Sequence, residues 1–565
     1  MAYELNRRGA LGLGALTLGG LLAACGFEGG SRSAQSKQSG GSGGSPKPGG
    51  KITYLNLMVN SGFQQQTQIG SWHANQYWNQ IVEPLVYVGA SGKLLGQLAT
   101  SWKPNADFTK WVFQIRKGVT FSNGSRLDAA AVAANYQLFG LGAPDKAIPR
   151  IAAIPRSFQK AEAISEYEVE MSLGQPYSQF VRSLAGISTL GLVAPETIAL
   201  PLEEQSDLNN TWATGPFVVE SWVAGKEIVL KRREDYNWPR PDAKHDGPAF
   251  LEKIIVQQIP EDAVRVGALQ AGQADIVHYP QPSSEVRLEK AGYTITRPFA
   301  PGTVWGLHIR QKAPFLDDIR VREALNRATD REEIVRTLYN ENWKVAQSPV
   351  NRATPWGVDL SEKFAFDLDR ANALLDEAGW TDRDSDGYRV KGGKTLELVE
   401  YPSVFINSSY RDDLTLIAQQ WKKAGIKLRI ENVDYSNYPS KTSAFGHPPA
   451  SLYEAHWGAT TAVRLYGWWA PKPEDESHDP IGGQQDQFNS ELGGELDQLL
   501  KATYEADSDE ASDVAGTKAL EYVIDNQLFI PVHEFSQNFA SAPALKGIYI
   551  DNYPRISFYD AWLDS

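Results

Sequence analysis

From residue 51 onward, the chain alternates many times between short β-type runs and amphipathic helical stretches. Residues 51–59 (KITYLNLMV) alternate apolar and polar side chains, as a half-buried strand does. Residues 128–139 (DAAAVAANYQLF) predict a helix capped by Asp128, and residues 318–338 predict one or two helices, the second capped by Thr329 or Asp330. A chain of 565 residues is longer than one core usually supports. The pattern therefore predicts an α/β body with more than one compact part.

The composition narrows the class of partner. The formal net charge is -13 and there is no Lys/Arg-rich run, which argues against a nucleic-acid partner. The single cysteine, Cys25, excludes an intramolecular disulfide and a cysteine-based zinc cluster. Sixteen Trp and 23 Tyr are many for this length. We expect most of them in the core and some in aromatic walls around a ligand.

The N-terminus has the features of an export signal. Arg7 and Arg8 precede an apolar, glycine-rich segment at residues 9–22, which is too short to span a bilayer and suits a signal peptide. The paired arginines resemble a twin-arginine signal. Asn6 before the pair and Gly9 after it depart from that pattern, so general secretion stays open.

A lipid attachment site follows the signal. Residues 22–25 (LAAC) resemble a bacterial lipobox, which implies that residues 1–24 are removed and that Cys25 receives a diacylglyceryl group. The alternative is a small buried cysteine in a core helix. Two acyl chains, at about 0.8 kcal/mol per buried CH₂, form a stable anchor. Residues 26–50, rich in Gly, Ser, Lys and Pro, predict a flexible tether between the bacterial cell membrane and an extracytoplasmic body.

Several blocks occur in a specific order along the body. They are GQLATSWKPNADFTKWVFQIRKGVTFSNGSRLDAAAV at 96–132, ATGPF at 213–217, ALQAGQADI at 268–276, PFLDDIRVREALNRATD at 314–330, AGW at 378–380 and GIK at 425–427. Together they resemble the large extracellular solute-binding proteins of family 5, the peptide/nickel class that serves ABC importers. The resemblance covers about residues 51–562.

The resemblance implies an α/β, two-lobed periplasmic-binding-protein fold with an interlobe cleft. Lobe I would hold residues 51–300 plus 535–565, lobe II would hold 306–530, and the crossings would fall near 297–305 and 529–535. The implied function is capture of peptides or peptide-like solutes in the cleft and delivery to the membrane permease, without a cofactor and as a monomer. Closure around the ligand would be favoured by its higher affinity for the closed form.

One recognition motif of peptide-binding relatives is altered here. Those relatives carry a Trp followed three residues later by an Asp that pairs with the ligand's α-ammonium. Trp457 matches the Trp, but Thr460 replaces the Asp, and a neutral hydroxyl cannot form that ion pair. The change disfavours a free peptide amine unless Glu454 or Asp475 substitutes for the missing carboxylate.

Other candidate ligand contacts lie in three places. Arg464, Trp468 and Trp469 belong to an aromatic run (RLYGWW) that is either a stacking wall or a hydrophobic segment packed in lobe II. Tyr54, in the first strand, and Trp72, at the end of the following loop, bound a segment that in relatives contacts the ligand; the alternative is an ordinary surface loop. The remaining pair, His533 and Glu534, is on the second predicted crossing and serves either ligand contact or hinge packing.

The sequence gives little support for a metal site or a catalytic site. The eight histidines include no close metal-binding pair. Residues 382–387 (DRDSDG) resemble the start of a calcium loop, but Gly393 occupies the position that requires Glu. No nucleophile elbow or phosphate-binding loop occurs, so we expect no enzyme activity. Two alternatives stay open: a binding protein for an oligosaccharide or other non-peptide, and a surface glycoside-acting enzyme with two carboxylates roughly 5–9.5 Å apart.

Overall fold

The computed structural model describes residues 45–65, 72–151, 154–186, 190–402, 409–431, 450–454, 458–469 and 494–564. The strands are β1 Lys51–Asn56, β2 Val86–Val88, β3 Leu94–Gly96, β4 Ala99–Pro104, β5 Lys110–Ile115, β6 Phe158–Ser165, β7 Glu168–Leu173, β8 Phe217–Val223, β9 Glu227–Arg232, β10 Lys253–Gln258, β11 Ile276–His278, β12 Thr294–Thr296, β13 Trp305–Ile309, β14 Asp382–Arg383, β15 Arg389–Lys391, β16 Lys394–Thr395, β17 Glu397–Glu400, β18 Lys427–Ile430, β19 Leu452–Glu454, β20 Phe529–His533, β21 Phe539–Ser541, β22 Leu545–Lys546, β23 Tyr549–Ile550, β24 Ile556–Ser557 and β25 Trp562–Leu563.

The helices complete the α/β architecture. They are α1 Trp72–Trp78, α2 Ala129–Leu141, α3 Phe180–Ala185, α4 Pro195–Ala199, α5 Leu202–Gln205, α6 Asp262–Gln270, α7 Pro282–Lys290, α8 Ile319–Arg327, α9 Arg331–Leu338, α10 Leu368–Glu377, α11 Ser409–Ala424, α12 Arg464–Trp469, α13 Glu495–Tyr504 and α14 Asp509–Asp525. Short 3₁₀ turns occupy Pro144–Lys146, Leu208–Asn210 and Ser361–Phe364. A search of the described ranges for membrane-spanning helices finds no candidate.

A seven-stranded sheet forms the centre of the part that we call lobe I. Its order is β12-β21-β11-β1-β10-β9-β8. Strand β1 pairs in parallel with β10 and β11, whereas β21 from the C-terminal segment runs antiparallel to β11 and β12. A second sheet of order β4-β5-β7-β6 packs with α2 in the same lobe. The C-terminal segment therefore returns to the N-terminal half of the chain.

The part that we call lobe II lies between strands β13 and β20, which pair with each other. Strand β19 is antiparallel to β13, and β17 and β18 form a parallel pair. An apolar cluster joins these strands to α8, α9, α10 and α11. Because β12 and β21 belong to lobe I while β13 and β20 belong to lobe II, the chain passes between the lobes twice, within residues 297–304 and 534–538.

Local signals predicted many element ends correctly. Asp128 caps α2 by accepting a hydrogen bond from the Ala131 N–H (2.9 Å). The alternating runs at 217–222 and 228–231 form the hairpin β8–β9. Residues 318–338 form two helices, α8 and α9, and Asp330 caps the second by accepting from the Glu333 N–H (2.9 Å). Gly379, after α10, has φ +84°, as a left-handed helix cap requires.

We expect Asp330→Ala to lower the free energy of unfolding by about 1 kcal/mol, because the first turn of α9 loses its side-chain acceptor. Urea unfolding followed by circular dichroism measures the change. Glu332→Ala is the matched control, since Glu332 lies in the same turn but is exposed, and its substitution should cost less than about 0.5 kcal/mol. Equal losses in the two variants would contradict the capping role.

Candidate ligand-binding cleft

The two lobes touch along helix α3 of lobe I. The Arg182 guanidinium donates to the backbone carbonyl of Thr460 (2.9 Å), and the Thr460 hydroxyl donates to the Arg182 carbonyl (3.1 Å). Ser178 donates to the Ala506 carbonyl (2.6 Å) from the turn before α3. Thr460 thus lies at the lobe boundary, where its hydroxyl is used in a contact between the lobes, and a ligand contact by Thr460 stays a prediction.

Aromatic side chains from both lobes meet beside this contact. Trp72 from α1 stacks on Tyr553 from the C-terminal segment, with ring centroids 5.0 Å apart and planes at 23°. The Trp72 ring also lies 5.6 Å from the ring of Phe535, on the second crossing, and packs within the apolar cluster of lobe II. These three rings, Trp72, Phe535 and Tyr553, are named the aromatic wall below. Such a wall suits the apolar part of a ligand in a cleft.

The end of β20, just before the second crossing, is held by side chains of lobe II. The His533 ring stacks on Trp305 with centroids 5.1 Å apart and planes at 7°. Its Nε2 lies 2.9 Å from the Tyr339 hydroxyl and 3.5 Å from a carboxylate oxygen of Asp413. Since His533 is 0% exposed, these contacts fix the crossing strand, and ligand contact by His533 stays a prediction.

Glu534, the next residue, is also buried, and its carboxylate pairs with an arginine. Its carboxylate accepts from the Arg352 backbone N–H (3.0 Å) and pairs with the Arg352 guanidinium (3.2 Å). Burial raises the pKa of Glu534, and the contacts with Arg352 oppose that rise. The arrangement ties the crossing to the segment after β13, while a ligand contact at Glu534 stays a prediction.

Three predicted aromatic contacts lie in packed interiors. Trp468 and Trp469 of α12 are each 2% exposed, and the Trp469 ring lies near His308 and Phe529 of lobe II. Tyr54 of β1 is 0% exposed and contacts the ring of Phe558. This placement corresponds to the packed-segment alternative for the RLYGWW run, and a stacking role for these rings stays a prediction.

Arg464 begins α12 and reaches toward lobe I. Its electrostatic neighbours are Tyr553 and Tyr177, both in lobe I; burial lowers the pKa of the guanidinium, and the two tyrosines oppose that change. Within the described ranges, no ion pair or side-chain hydrogen bond of Arg464 occurs. The structure therefore brings Arg464, Thr460 and Trp72 to one interlobe region, which the sequence predicted only as separate candidates.

A pair of buried carboxylates at the lobe II edge was not predicted as a unit. Glu400 ends β17 and Glu454 ends β19, and they are 1% and 3% exposed. The Glu454 N–H donates to Glu400 Oε1 (3.2 Å), and no described residue forms a hydrogen bond with the buried Glu400 Oε2. Burial, and then the charge of Glu454, raise the pKa of Glu400 well above its ordinary value, while Arg310 opposes the rise. The acid that ends an alternating strand (LELVE) was the available sequence signal.

This acidic pair faces the lobe boundary. Strand β19 is antiparallel to β13 and therefore ends beside the start of β13, at the first crossing. Shortly after Glu454, Gly458 forms a bridge with Gly302 on that crossing. Tyr410 of lobe II is close enough to both Glu454 and Tyr279 of lobe I to be affected by their charges. The buried pair therefore lies close to the first crossing.

Several residues that the sequence singled out lie outside the described ranges or away from the lobe boundary. Trp457, Asp475, Cys25 and the tether up to residue 44 lie outside the described residues. The acidic turn at 382–387 is a hairpin in which Asp384 accepts from the N–H groups of Asp386 (3.0 Å) and Tyr388 (2.9 Å). In the described part of the chain, no three His, Cys, Asp or Glu side chains converge as metal ligands.

The two crossings and the contacts between the lobes define a two-lobed periplasmic-binding-type protein. Comparison with known proteins agrees with this class. Residues 93–477 match the family model for bacterial extracellular solute-binding proteins, family 5 Middle. The chain belongs to this family, whose members are binding proteins.

The relatives differ from one another in the ligand that their names give. The nickel-binding periplasmic protein of Escherichia coli is 26% identical over 394 residues, which are 68% of this chain and 72% of that protein. The dipeptide-binding protein of Pseudomonas aeruginosa is 24% identical over 502 residues, 82% of this chain and 85% of its own. The oligopeptide-binding protein AppA of Bacillus subtilis, solved with a nonapeptide, superposes with a TM-score of 0.72 at 20% identity, covering 92% of this chain and 99% of AppA. That last likeness concerns the fold alone.

Proposed function

We propose that this protein is the substrate-binding lipoprotein of an ABC importer and captures peptides or peptide-like solutes between its lobes. The observation that carries the peptide assignment is the Oε2 of buried Glu400 beside Glu454 at the lobe boundary, which receives no hydrogen bond from the described part of the chain. A buried carboxylate is stabilised by a cationic partner, and a ligand ammonium would supply one. The pair would thus perform the task that Thr460 cannot.

The cleft geometry supports the rest of this function. Two chain crossings allow the lobes to close over a ligand, and the aromatic wall offers apolar contact to its side chains. The tether and lipidated Cys25 would hold the body, a monomer, at the outer side of the cell membrane, near the permease. Family membership supports binding without catalysis. The lobes would divide between β12 and β13 and between β20 and β21, at 297–304 and 534–538; the sequence blocks placed the two divisions at 297–305 and 529–535.

We expect short peptides with free amino termini to raise the melting temperature of the full-length protein in detergent. A ligand at 100 times its Kd adds roughly 2.7 kcal/mol to the free energy of unfolding. The same peptides, N-acetylated, should bind at least tenfold more weakly, because they bring no ammonium to Glu400. Differential scanning fluorimetry, followed by native mass spectrometry of the bound species, measures both effects.

Glu400→Gln should remove the preference for free amines. Glu397→Gln is the matched control, since Glu397 lies on the same strand but pairs with Lys427 at a partly exposed site (2.6 Å). If the unsubstituted protein binds free and acetylated peptides equally well, the proposed role of Glu400 is contradicted, and this comparison needs no variant. A response to oligosaccharides alone would overturn the peptide assignment.

A further inference from the structure

The two chain crossings are bonded to each other. Phe299 on the first crossing forms an antiparallel bridge with Ser536 on the second. The Pro298 carbonyl accepts from the Ser536 hydroxyl (3.0 Å) and from the Gln537 N–H (3.2 Å). Because these contacts involve the backbone and one short side chain, they hold the crossings side by side. The crossings therefore form one two-stranded connection between the lobes.

A single buried carboxylate of lobe I binds both of these crossings. Glu285, on α7, is 0% exposed. Its Oε2 accepts from Arg297 Nε on the first crossing (2.9 Å), and its Oε1 accepts from Asn538 Nδ2 on the second (2.5 Å). Arg297 also pairs with Glu289 (2.9 Å), one turn further along α7. Both crossings are therefore fixed to the same helix of lobe I.

The same carboxylate also binds lobe II. Asn340, which lies two residues after α9, donates to Glu285 Oε2 (2.8 Å) and to the Pro282 carbonyl at the start of α7 (3.0 Å). The Trp343 indole N–H donates to the same carboxylate oxygen (3.4 Å). These bonds run directly from α7 to the segment after α9. They form a third, non-covalent connection between the lobes, next to the two covalent ones.

Three connections at one place restrict how the lobes can move. Two adjacent crossings alone would allow the lobes both to bend and to twist. A motion that broke the bonds of Glu285 would leave a buried charge with fewer donors, which is a costly state. A motion that keeps these bonds rotates the lobes about an axis near Glu285. The change in backbone dihedrals then falls further along the first crossing, where Gly302 has φ +128°.

We propose that Glu285 is the pivot of lobe closure, a positioning residue that keeps both crossings and lobe II in contact with α7 in the open and the closed forms. The lobes then bend with little twist. This inference rests on the lobe closure that the proposed function requires, but it does not depend on the identity of the ligand. A protein restricted in this way loses fewer orientations when a ligand binds, and its affinity is higher for that reason.

The test measures distances between the lobes of the full-length protein without ligand. Spin labels are attached through Lys93→Cys in lobe I and Lys394→Cys in lobe II, both at exposed positions, in a Cys25→Ser background. Double electron–electron resonance then gives the distribution of the distance between the labels. Glu285→Gln should broaden this distribution roughly twofold, because the amide group that replaces one carboxylate oxygen faces donors and releases them.

Asn340→Ala tests the same pivot from lobe II, and it leaves the acceptor for both crossings in place. It should also broaden the distribution, and each variant should weaken peptide binding roughly tenfold in titration calorimetry. The double variant should be no broader than Glu285→Gln alone, since both substitutions break the same connection. Glu289→Gln is the matched control. Glu289 pairs with the same arginine from the same helix but, in the described part of the chain, has no bond to lobe II, so its substitution should change neither quantity.

The outcomes separate this inference from the proposed function. Equal widths in the unsubstituted protein and in both the Glu285→Gln and Asn340→Ala variants would overturn the pivot, and so would equal broadening by Glu289→Gln. If Glu285→Gln does not fold, the comparison of Asn340→Ala with Glu289→Gln decides the question. If no peptide binds the unsubstituted protein while both variants broaden the distribution, the peptide assignment is overturned and the pivot is supported.

Discussion

A Gly458→Ala substitution should weaken ligand binding by roughly 10–100-fold. Gly458 of lobe II lies against Tyr553 of lobe I, and a Cβ added at this glycine would overlap both the tyrosine hydroxyl and its ring carbons. Overpacking of this kind typically costs 1–3 kcal/mol, and each 1.4 kcal/mol corresponds to tenfold in affinity. Because the contact joins the lobes, the cost falls on the closed form. Titration calorimetry gives the affinity, and small-angle X-ray scattering at saturating ligand should show a larger radius of gyration.

Two comparisons make this prediction specific. Gly267→Ala, on helix α6, is the matched control, since a Cβ there meets nothing within 4 Å and should leave affinity unchanged. In a Tyr553→Ala background, the added penalty of Gly458→Ala should disappear, because the overlapping ring is absent. A penalty of the same size in both backgrounds would show that the glycine acts through something other than the Tyr553 contact.

We expect the stability of lobe I to fall between about pH 4.5 and 7 through the ionisation of Glu83. Burial raises the pKa of this carboxyl to about 7, despite hydrogen bonds from Tyr236, Trp238 and Gln97 that oppose the rise. Over this window the folded state holds a proton that the unfolded state releases, so the free energy of unfolding decreases as pH rises. The full contribution is about 3 kcal/mol, at 1.36 kcal/mol per pKa unit.

The hydrogen bonds around Glu83 explain why its substitution should also lower the free energy of unfolding. Its Oε1 accepts from the Tyr236 hydroxyl (2.6 Å) and from Gln97 Nε2 (2.6 Å), and its Oε2 accepts from Trp238 Nε1 (3.1 Å). In Glu83→Gln, one of these acceptors becomes an NH₂ group that faces a donor, and we expect a loss of about 1–3 kcal/mol. The pH dependence that Glu83 contributes should vanish in the same variant.

Urea unfolding at half-unit pH steps measures both effects as the difference between the unsubstituted protein and Glu83→Gln. Glu203→Gln, at an exposed position in α5, is the control and should follow the unsubstituted protein at every pH. A constant difference between the unsubstituted protein and Glu83→Gln across pH 4.5–7 would show that Glu83 does not titrate in this window.

Predictions that depend on neighbours in sequence agree best with the structure. Asp128 and Asp330 cap helices because the groups that they bind are three residues away. Gly379 ends α10 because a left-handed backbone favours glycine. The hairpin β8–β9 follows from two alternating runs joined by a short turn. The ordered sequence blocks were also sufficient to predict the family and its two-lobed fold.

The candidate site was harder to predict, because its parts are far apart in the chain. Trp72 meets Tyr553, and Arg182 meets Thr460, only after the lobes have formed and touched. The RLYGWW run could predict a buried segment or a stacking wall equally well, since hydrophobicity does not reveal which element covers an indole. Glu400 was missed because an acid at the end of a strand is ordinarily exposed.

The amino-acid sequence by itself determined several helix caps and the α/β class, since these depend on local backbone preferences and on the periodicity of apolar side chains, and its ordered blocks determined the family. Among the described residues, the tertiary structure decided which charged groups are buried at the lobe boundary and what they contact. The reason is physical: the hydrogen bonds and desolvation that set the behaviour of Glu400, Arg464 and Glu83 come from residues that are distant in sequence and become neighbours only through packing.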